Sequence, residues 1–321
     1  MSKINIILLF CSISLAMNAQ SKIVFSRNIG GINSGGTSNL MIYNPVTKDT
    51  KLMIKGTVRG RGEGNFSSSP NSFKILFNTY RYSGWKLAIA DFKNEKITNV
   101  QRFTNRSNYE YNAKWSPDGT KIVYQEYNWG TSKTELFTTN GSGRNVKKVN
   151  ISNVDGHSPD WTKNGKHIVF ESEAGRGGNY DIYITSSDGN GVKNLTGHSA
   201  QDFAPSVSKA EDKIAFLSDR GDGYVNLYVM DLSGGGLKKL STQFETGKFR
   251  VKIPKNIIHW AYKTCWSPNG KQIVFNAIVN GSDSEIFIIN SDGSNLTQIT
   301  DNKDSDITPY WMNENNLKLK K

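Results

Sequence analysis

A five-residue phrase recurs six times along this 321-residue chain and limits its fold more than any other feature. Its clearest copies are Trp115-Ser116-Pro117-Asp118-Gly119 and Trp266-Ser267-Pro268-Asn269-Gly270. Worn copies read Ser68-Ser69-Pro70-Asn71-Ser72, Trp161-Thr162-Lys163-Asn164-Gly165, Val207-Ser208-Lys209-Ala210-Glu211 and Trp311-Met312-Asn313-Glu314-Asn315. From Ser68 onward the steps are 47, 46, 46, 59 and 45 residues. A fixed period of this size marks a supersecondary unit that cannot bury its own faces, so the copies must pack on one another.

Each copy is followed by a short apolar run such as Ile122-Val123-Tyr124 or Ile273-Val274-Phe275, then a Gly- and Asp-rich break. An alternating run comes next, as in Asp181-Ile182-Tyr183-Ile184, and after a turn a last run such as Leu237-Lys238-Lys239-Leu240. β-Branched and aromatic runs bounded by turn residues are strands joined by hairpins. No window of helical periodicity appears, so the chain reads as all-β. Four strands in about 45 residues make one propeller blade. The expected fold is a six-bladed β-propeller with four-stranded antiparallel blades. Innermost strands fall near 64–68, 111–116, 158–162, 203–208, 262–267 and 307–312. Because the chain starts on a second strand and ends on a first one, the C-terminal strand closes the ring and removes an exposed sheet edge. In the phrase itself, Trp is expected to fill the gap between blades, and Pro-Asp-Gly to make the turn into the second strand.

Residues 1–19 read as a cleaved signal peptide: Lys3 starts it, Ile4 to Ala16 is mostly apolar, and Ala19 is a small residue at the cut before Gln20. Residues 20–321 are then the propeller. No other run is long and apolar enough to span a membrane. Cys11 leaves with the signal, so Cys265 is alone and expected to be a small buried apolar residue. The net charge of +12 points to anionic partners. Nucleic acid is not expected for an exported chain, which leaves an envelope protein or an anionic glycan. Lys147, Lys148, Lys238 and Lys239 also read as a solvated strand edge.

The blades resemble those of the TolB-type propeller family. The resemblance rests on Ser218-Asp219-Arg220, Asn226-Leu227-Tyr228-Val229-Met230-Asp231 and Leu237-Lys238-Lys239-Leu240-Ser241, and again on Trp266 to Phe275 and Ser291 to Thr297. It covers residues 22 to 312 and implies architecture rather than function, because such repeats serve periplasmic adaptors, the non-catalytic half of some peptidases and certain polysaccharide lyases. TolB carries a further α/β domain ahead of its propeller; here the first blade is expected to begin near Lys22.

The usual nucleophile, zinc-protease and redox motifs are missing. Five residues ahead of the Trp position stand Glu63, Glu110, Asp202 and Asp306, expected to converge on one mouth of the channel. Such a ring could hold a divalent cation such as Ca²⁺; each acid could equally pair with a nearby Arg such as Arg59 or Arg61. No other cofactor is expected. His157, His198 and His259 fall in matching stretches and are weak candidates for a metal site. The long step contains an insertion between Gln243 and Lys263 that brings Arg250, His259, Trp260 and Tyr262 to the same mouth, joined by Tyr80, Arg81, Tyr82, Tyr127 and Trp129. Aromatic plates beside cations suit sugars or acidic peptides. The expected function is binding, as a monomeric adaptor in the periplasm or outside the cell. The competing reading is a lyase acting on an anionic glycan, with His259 or Tyr262 as base and Arg250 or a metal neutralising the uronate.

Overall fold

The computed structural model describes residues 21–31, 34–151, 154–173, 178–221, 225–240, 261–279 and 283–312. The signal segment, most of the insertion and the C-terminal Leu317–Leu319 stretch lie outside them. The described residues form six four-stranded antiparallel sheets and no α-helix. Blade I holds β1 (Lys22–Asn28), β2 (Ser38–Asn44), β3 (Asp49–Ile54) and, as its innermost strand, β24 (Ser305–Met312). Blade II is β4 (Glu63–Ser68), β5 (Lys74–Thr79), β6 (Lys86–Lys93) and β7 (Lys96–Arg102); blade III is β8 (Tyr109–Trp115), β9 (Lys121–Asn128), β10 (Lys133–Asn140) and β11 (Lys147–Lys148). Blade IV is β12 (His157–Trp161), β13 (His167–Ser172), β14 (Asp181–Ser186) and β15 (Lys193–Asn194). Blade V is β16 (Asp202–Val207), β17 (Lys213–Ser218), β18 (Asn226–Asp231) and β19 (Lys238–Lys239). Blade VI is β20 (Thr264–Trp266), β21 (Gln272–Val279), β22 (Asp283–Asn290) and β23 (Thr297–Gln298).

The ring closes as the sequence implies. β24 pairs antiparallel with β1, placing Ile23 opposite Trp311 and Arg27 opposite Asp306. The apolar residues gather into six clusters, each between two neighbouring blades. One packs Leu76, Leu87 and Ile89 of blade II against Trp115, Ile122 and Tyr124 of blade III. The next sets Val123 and Leu136 of blade III against Trp161, Ile168 and Phe170 of blade IV. Each sheet buries both faces, and the large flat indoles fill the wedge between adjacent sheets. The turns behave as the phrase requires: Ser116 Oγ donates to Asp118 Oδ1 at 2.6 Å, and Gly119 takes φ 68°, open to glycine at no steric cost. In blade V, where the phrase is most worn, the left-handed residue is Asp212, one place further along, with φ 52°.

Four of the outermost strands are only two residues long, and three of these carry the lysines noted above or Lys193. Short, lysine-bearing edges discourage pairing with another chain, which accounts for part of the positive charge without any ligand.

The innermost strands share a kink. In five of them one residue turns left-handed, Asn65, Asn112, Ser158, Ala204 and Thr308 having φ between 47° and 54°. The ladder register shifts at the same place. Such bulges re-aim side chains, here at the channel. Lys263 stands at the corresponding position of blade VI, just ahead of the shortened β20, and is not left-handed.

Candidate binding site

The four acids do occupy equivalent places at the start of the innermost strands, but none faces solvent: each residue is 0% exposed. A carboxylate removed from water needs a charge or hydrogen-bond partner, and each finds one nearby. Arg81 Nε meets Glu63 Oε1 at 2.8 Å, Arg220 Nη2 meets Asp202 Oδ2 at 2.5 Å, and Arg27 grips Asp306 through two bonds of 2.7 and 2.8 Å. Glu110 accepts from the Thr104 hydroxyl. Burial pushes the Glu63, Glu110 and Asp202 carboxyls above the usual range despite these partners. The acids therefore fasten the rim rather than form an open cation ring. Glu63 pairs with Arg81, in the loop just beyond β5, and not with Arg59 or Arg61.

Above this rim, blades II and III build a continuous aromatic surface. Tyr80 and Trp85 from the β5–β6 loop meet edge to face at 5.5 Å, and Trp85 reaches Tyr111 at 6.3 Å. Tyr109 contacts Tyr111, then Trp129 at 5.1 Å, and Trp129 meets Tyr127 at 4.7 Å. All six rings are half-buried or exposed, Trp129 being 58% exposed. The exposed Arg61 places its guanidinium 5.5 Å from the Tyr80 ring centroid. The buried Lys86 ammonium holds the loop that leads into Tyr109, donating to the carbonyls of Arg106 at 2.9 Å, Ser107 at 2.7 Å and Asn108. Gly84, with φ 121°, lets the loop close against this surface, since a Cβ there would meet the Tyr109 ring at 2.6 Å. The rings are thus set by backbone contacts and not left to float.

A second feature lies inside the channel, and the sequence reading missed it. A cavity of about 230 Å³ is lined by residues of all six innermost strands. Its lining runs from Asn65, Asn112, Ser158 and Lys263 to the turn residues Pro70, Pro117 and Pro268, on the side of the ring away from the aromatic surface. Three lysines line it against one aspartate. Lys209 pairs with Asp160 at 2.9 Å. Lys114 lies 4.5 Å from the Tyr310 ring centroid and, among the described residues, meets no carboxylate. Lys263 reaches across to blade IV and donates to Ser158 Oγ, which in turn donates to Glu171 Oε1 at 3.0 Å. Burial pushes the Lys263 ammonium down to about 8, Glu171 opposing the shift and Lys114 adding to it. Five lining residues keep a buried polar atom without a hydrogen-bond partner: Asn65 Oδ1, Ser67 Oγ, Asn112 Oδ1, Trp115 Nε1 and Trp311 Nε1. The readable signal was the residue one before the Trp position in each repeat, which gives Ser67, Lys114, Asp160, Ser206, Cys265 and Tyr310. Cys265 belongs to this lining and is only half-buried, its Sγ accepting from the Trp311 amide at 3.3 Å.

Arg250, His259 and Trp260 lie outside the described residues. Tyr262 is 3% exposed and packs edge to face on Phe203 in the core between blades V and VI, where burial raises its hydroxyl far above the normal range. It supports the mouth from below instead of reaching into it. His157 packs its ring on Tyr180, and the exposed His198 accepts the Ala200 amide on Nδ1 at 3.0 Å. Among the described residues no three His, Cys, Asp or Glu side chains are grouped to hold a metal ion.

Comparison with solved structures finds the same architecture. TolB from Acinetobacter baumannii aligns with a TM-score of 0.70 at 19% identity, over 91% of this chain and 66% of that one. A putative TolB from Agrobacterium tumefaciens gives 0.63 at 14% identity, over 91% and 98%. An oligogalacturonate lyase from Vibrio parahaemolyticus gives 0.52 at 12% identity, over 86% and 78%. Identities this low speak for the fold alone, and the chain spans just under two-thirds of the Acinetobacter protein. Comparison with curated protein sequences gives no match. A family profile described as the TolB β-propeller domain (PD40) matches residues 74–258, more than half of the chain. With six closed blades and that match together, the chain belongs to the TolB β-propeller family.

Proposed function

We propose that this protein is a binding propeller of the cell envelope, acting as an adaptor whose ligand docks across the aromatic surface on blades II and III. The observation that supports this most is six adjoining aromatic rings at one mouth, none of them fully buried, with the Arg61 guanidinium beside them. Rigid aromatic faces with a cation at the edge give contact area at low entropic cost and favour an acidic segment of a protein or an anionic glycan. The adaptor role comes from the family resemblance.

Trp129→Ala and Tyr109→Ala are expected to weaken ligand binding by about 1–3 kcal/mol each if these rings are hot spots. Trp129→Ala should leave the melting temperature unchanged, because its ring is largely exposed. The check is titration of the ligand captured from an envelope extract or an anionic-glycan panel. Unchanged affinity in both variants would move the site elsewhere. A rise in ultraviolet absorbance from an unsaturated uronate, on incubation with an anionic glycan, would favour the lyase instead.

Export is part of the proposal. The mature protein is expected to start at or next to Gln20. Mass spectrometry of the protein from its native host tests this, and an intact Met1 on the mature chain would contradict it.

A further inference from the structure

The channel cavity has a chemistry of its own, separate from the aromatic surface. Its charges leave one positive group over: Asp160 balances Lys209, Glu171 answers Lys263 through Ser158, and Lys114 has only the face of Tyr310. A half-buried ammonium in the channel without a carboxylate partner invites an anion, and one surplus charge matches a monoanion better than a dianion. The unpartnered Asn112 Oδ1 extends the description. Asn112 is fixed in orientation because its Nδ2 donates to Gln125 Oε1 at 2.7 Å, so its free Oδ1 asks for a donor such as a hydroxyl. At about 30 Å³ per water, 230 Å³ has room for about eight waters, which suits a small molecule and excludes a folded segment.

We propose that the channel cavity binds a small monoanionic hydroxycarboxylate, its carboxylate held between Lys114 and Lys263 and a hydroxyl donated to Asn112 Oδ1. Entry is from the turn side of the ring, between Pro70, Pro117 and Pro268. Lys263 lends the site a pH dependence. Facing it are Glu171 behind Ser158 and Lys114 across the cavity, with the Asp160–Lys209 pair, Tyr310 and Cys265 further along the lining. Only the charged ammonium attracts the anion, so affinity holds below about 8 and declines as pH rises through it.

The test is calorimetric titration of the full-length protein with sodium D-gluconate. Sorbitol (the polyol without the charge), hexanoate (the carboxylate without hydroxyls) and inorganic phosphate serve as comparison probes. Gluconate should bind saturably, with each comparison probe weaker by about tenfold or more, the loss expected for a missing charge-assisted hydrogen bond. Lys114→Met should cost a similar factor. Lys114 has no carboxylate partner among the described residues, so the variant is expected to fold, and a melting curve verifies this. The proposal is overturned by no binding of gluconate at millimolar concentration. Equal binding of sorbitol or hexanoate, tighter binding of phosphate, or a folded Lys114→Met protein with unchanged affinity would each overturn it too. The specificity arms use the unaltered protein and decide the matter even where a variant fails to fold.

Discussion

A chain ending at Asp306 is expected to lose its cooperative melting transition altogether. The deletion removes most of β24 and with it the ladder to β1 that closes the ring. It also takes three cores at once: Ile307 packs between blades V and VI, Trp311 between VI and I, and Met312 between I and II. At about 1.5–3 kcal/mol for each large buried side chain, those three residues alone approach the 5–15 kcal/mol by which a domain is usually stable. The freed edge of β1 would then be open to intermolecular pairing. Circular dichroism on heating is the check, and a truncated protein that melts at the wild-type temperature would show that ring closure does not hold the fold.

Trp161→Ala is expected to produce the largest effect of any single substitution of an inter-blade indole, about 3–5 kcal/mol of lost stability. Trp161 is 0% exposed and packs on Val123, Leu136, Ile168 and Phe170, with its indole N–H donating to the Lys114 carbonyl at 3.1 Å. Alanine leaves a cavity between two sheets that the ring does not allow to close, and it orphans a carbonyl on the strand that carries Lys114. Denaturant midpoints for wild type, Trp161→Ala and the exposed-site control Trp129→Ala measure this. A Trp161→Ala protein as stable as the control would contradict the inter-blade role of the repeated Trp.

The blade count, the strand positions and the structural role of the phrase were legible because they depend on local pattern: alternation, turn residues and a fixed period. β4 and β8, for example, lie within two residues of the stretches 64–68 and 111–116 where the repeat places innermost strands. The mouth was legible in part. Tyr127 lies at the end of an obvious strand and Trp129 in the hairpin that follows, so their exposure could be inferred. The acids could not be judged the same way. Whether Glu63 faces water depends on Arg81, in the loop beyond the next strand, and Asp306 depends on Arg27, 279 residues away across the ring closure. Lys114 and Lys263 escaped notice for a related reason. Lys114, beside a tryptophan in a polar repeat, reads as surface, and only the bulge in its strand turns it toward the channel; Lys263, three residues ahead of Trp266, follows an insertion that hides its place in the repeat.

The most direct test of the binding account is hydrogen–deuterium exchange of the protein with and without its envelope ligand. The account predicts slowed exchange at Tyr80–Trp85, Tyr109–Tyr111 and Tyr127–Trp129, with the outer strands of the blades unchanged. Protection confined to those outer strands, with the aromatic segments exchanging as before, would contradict it.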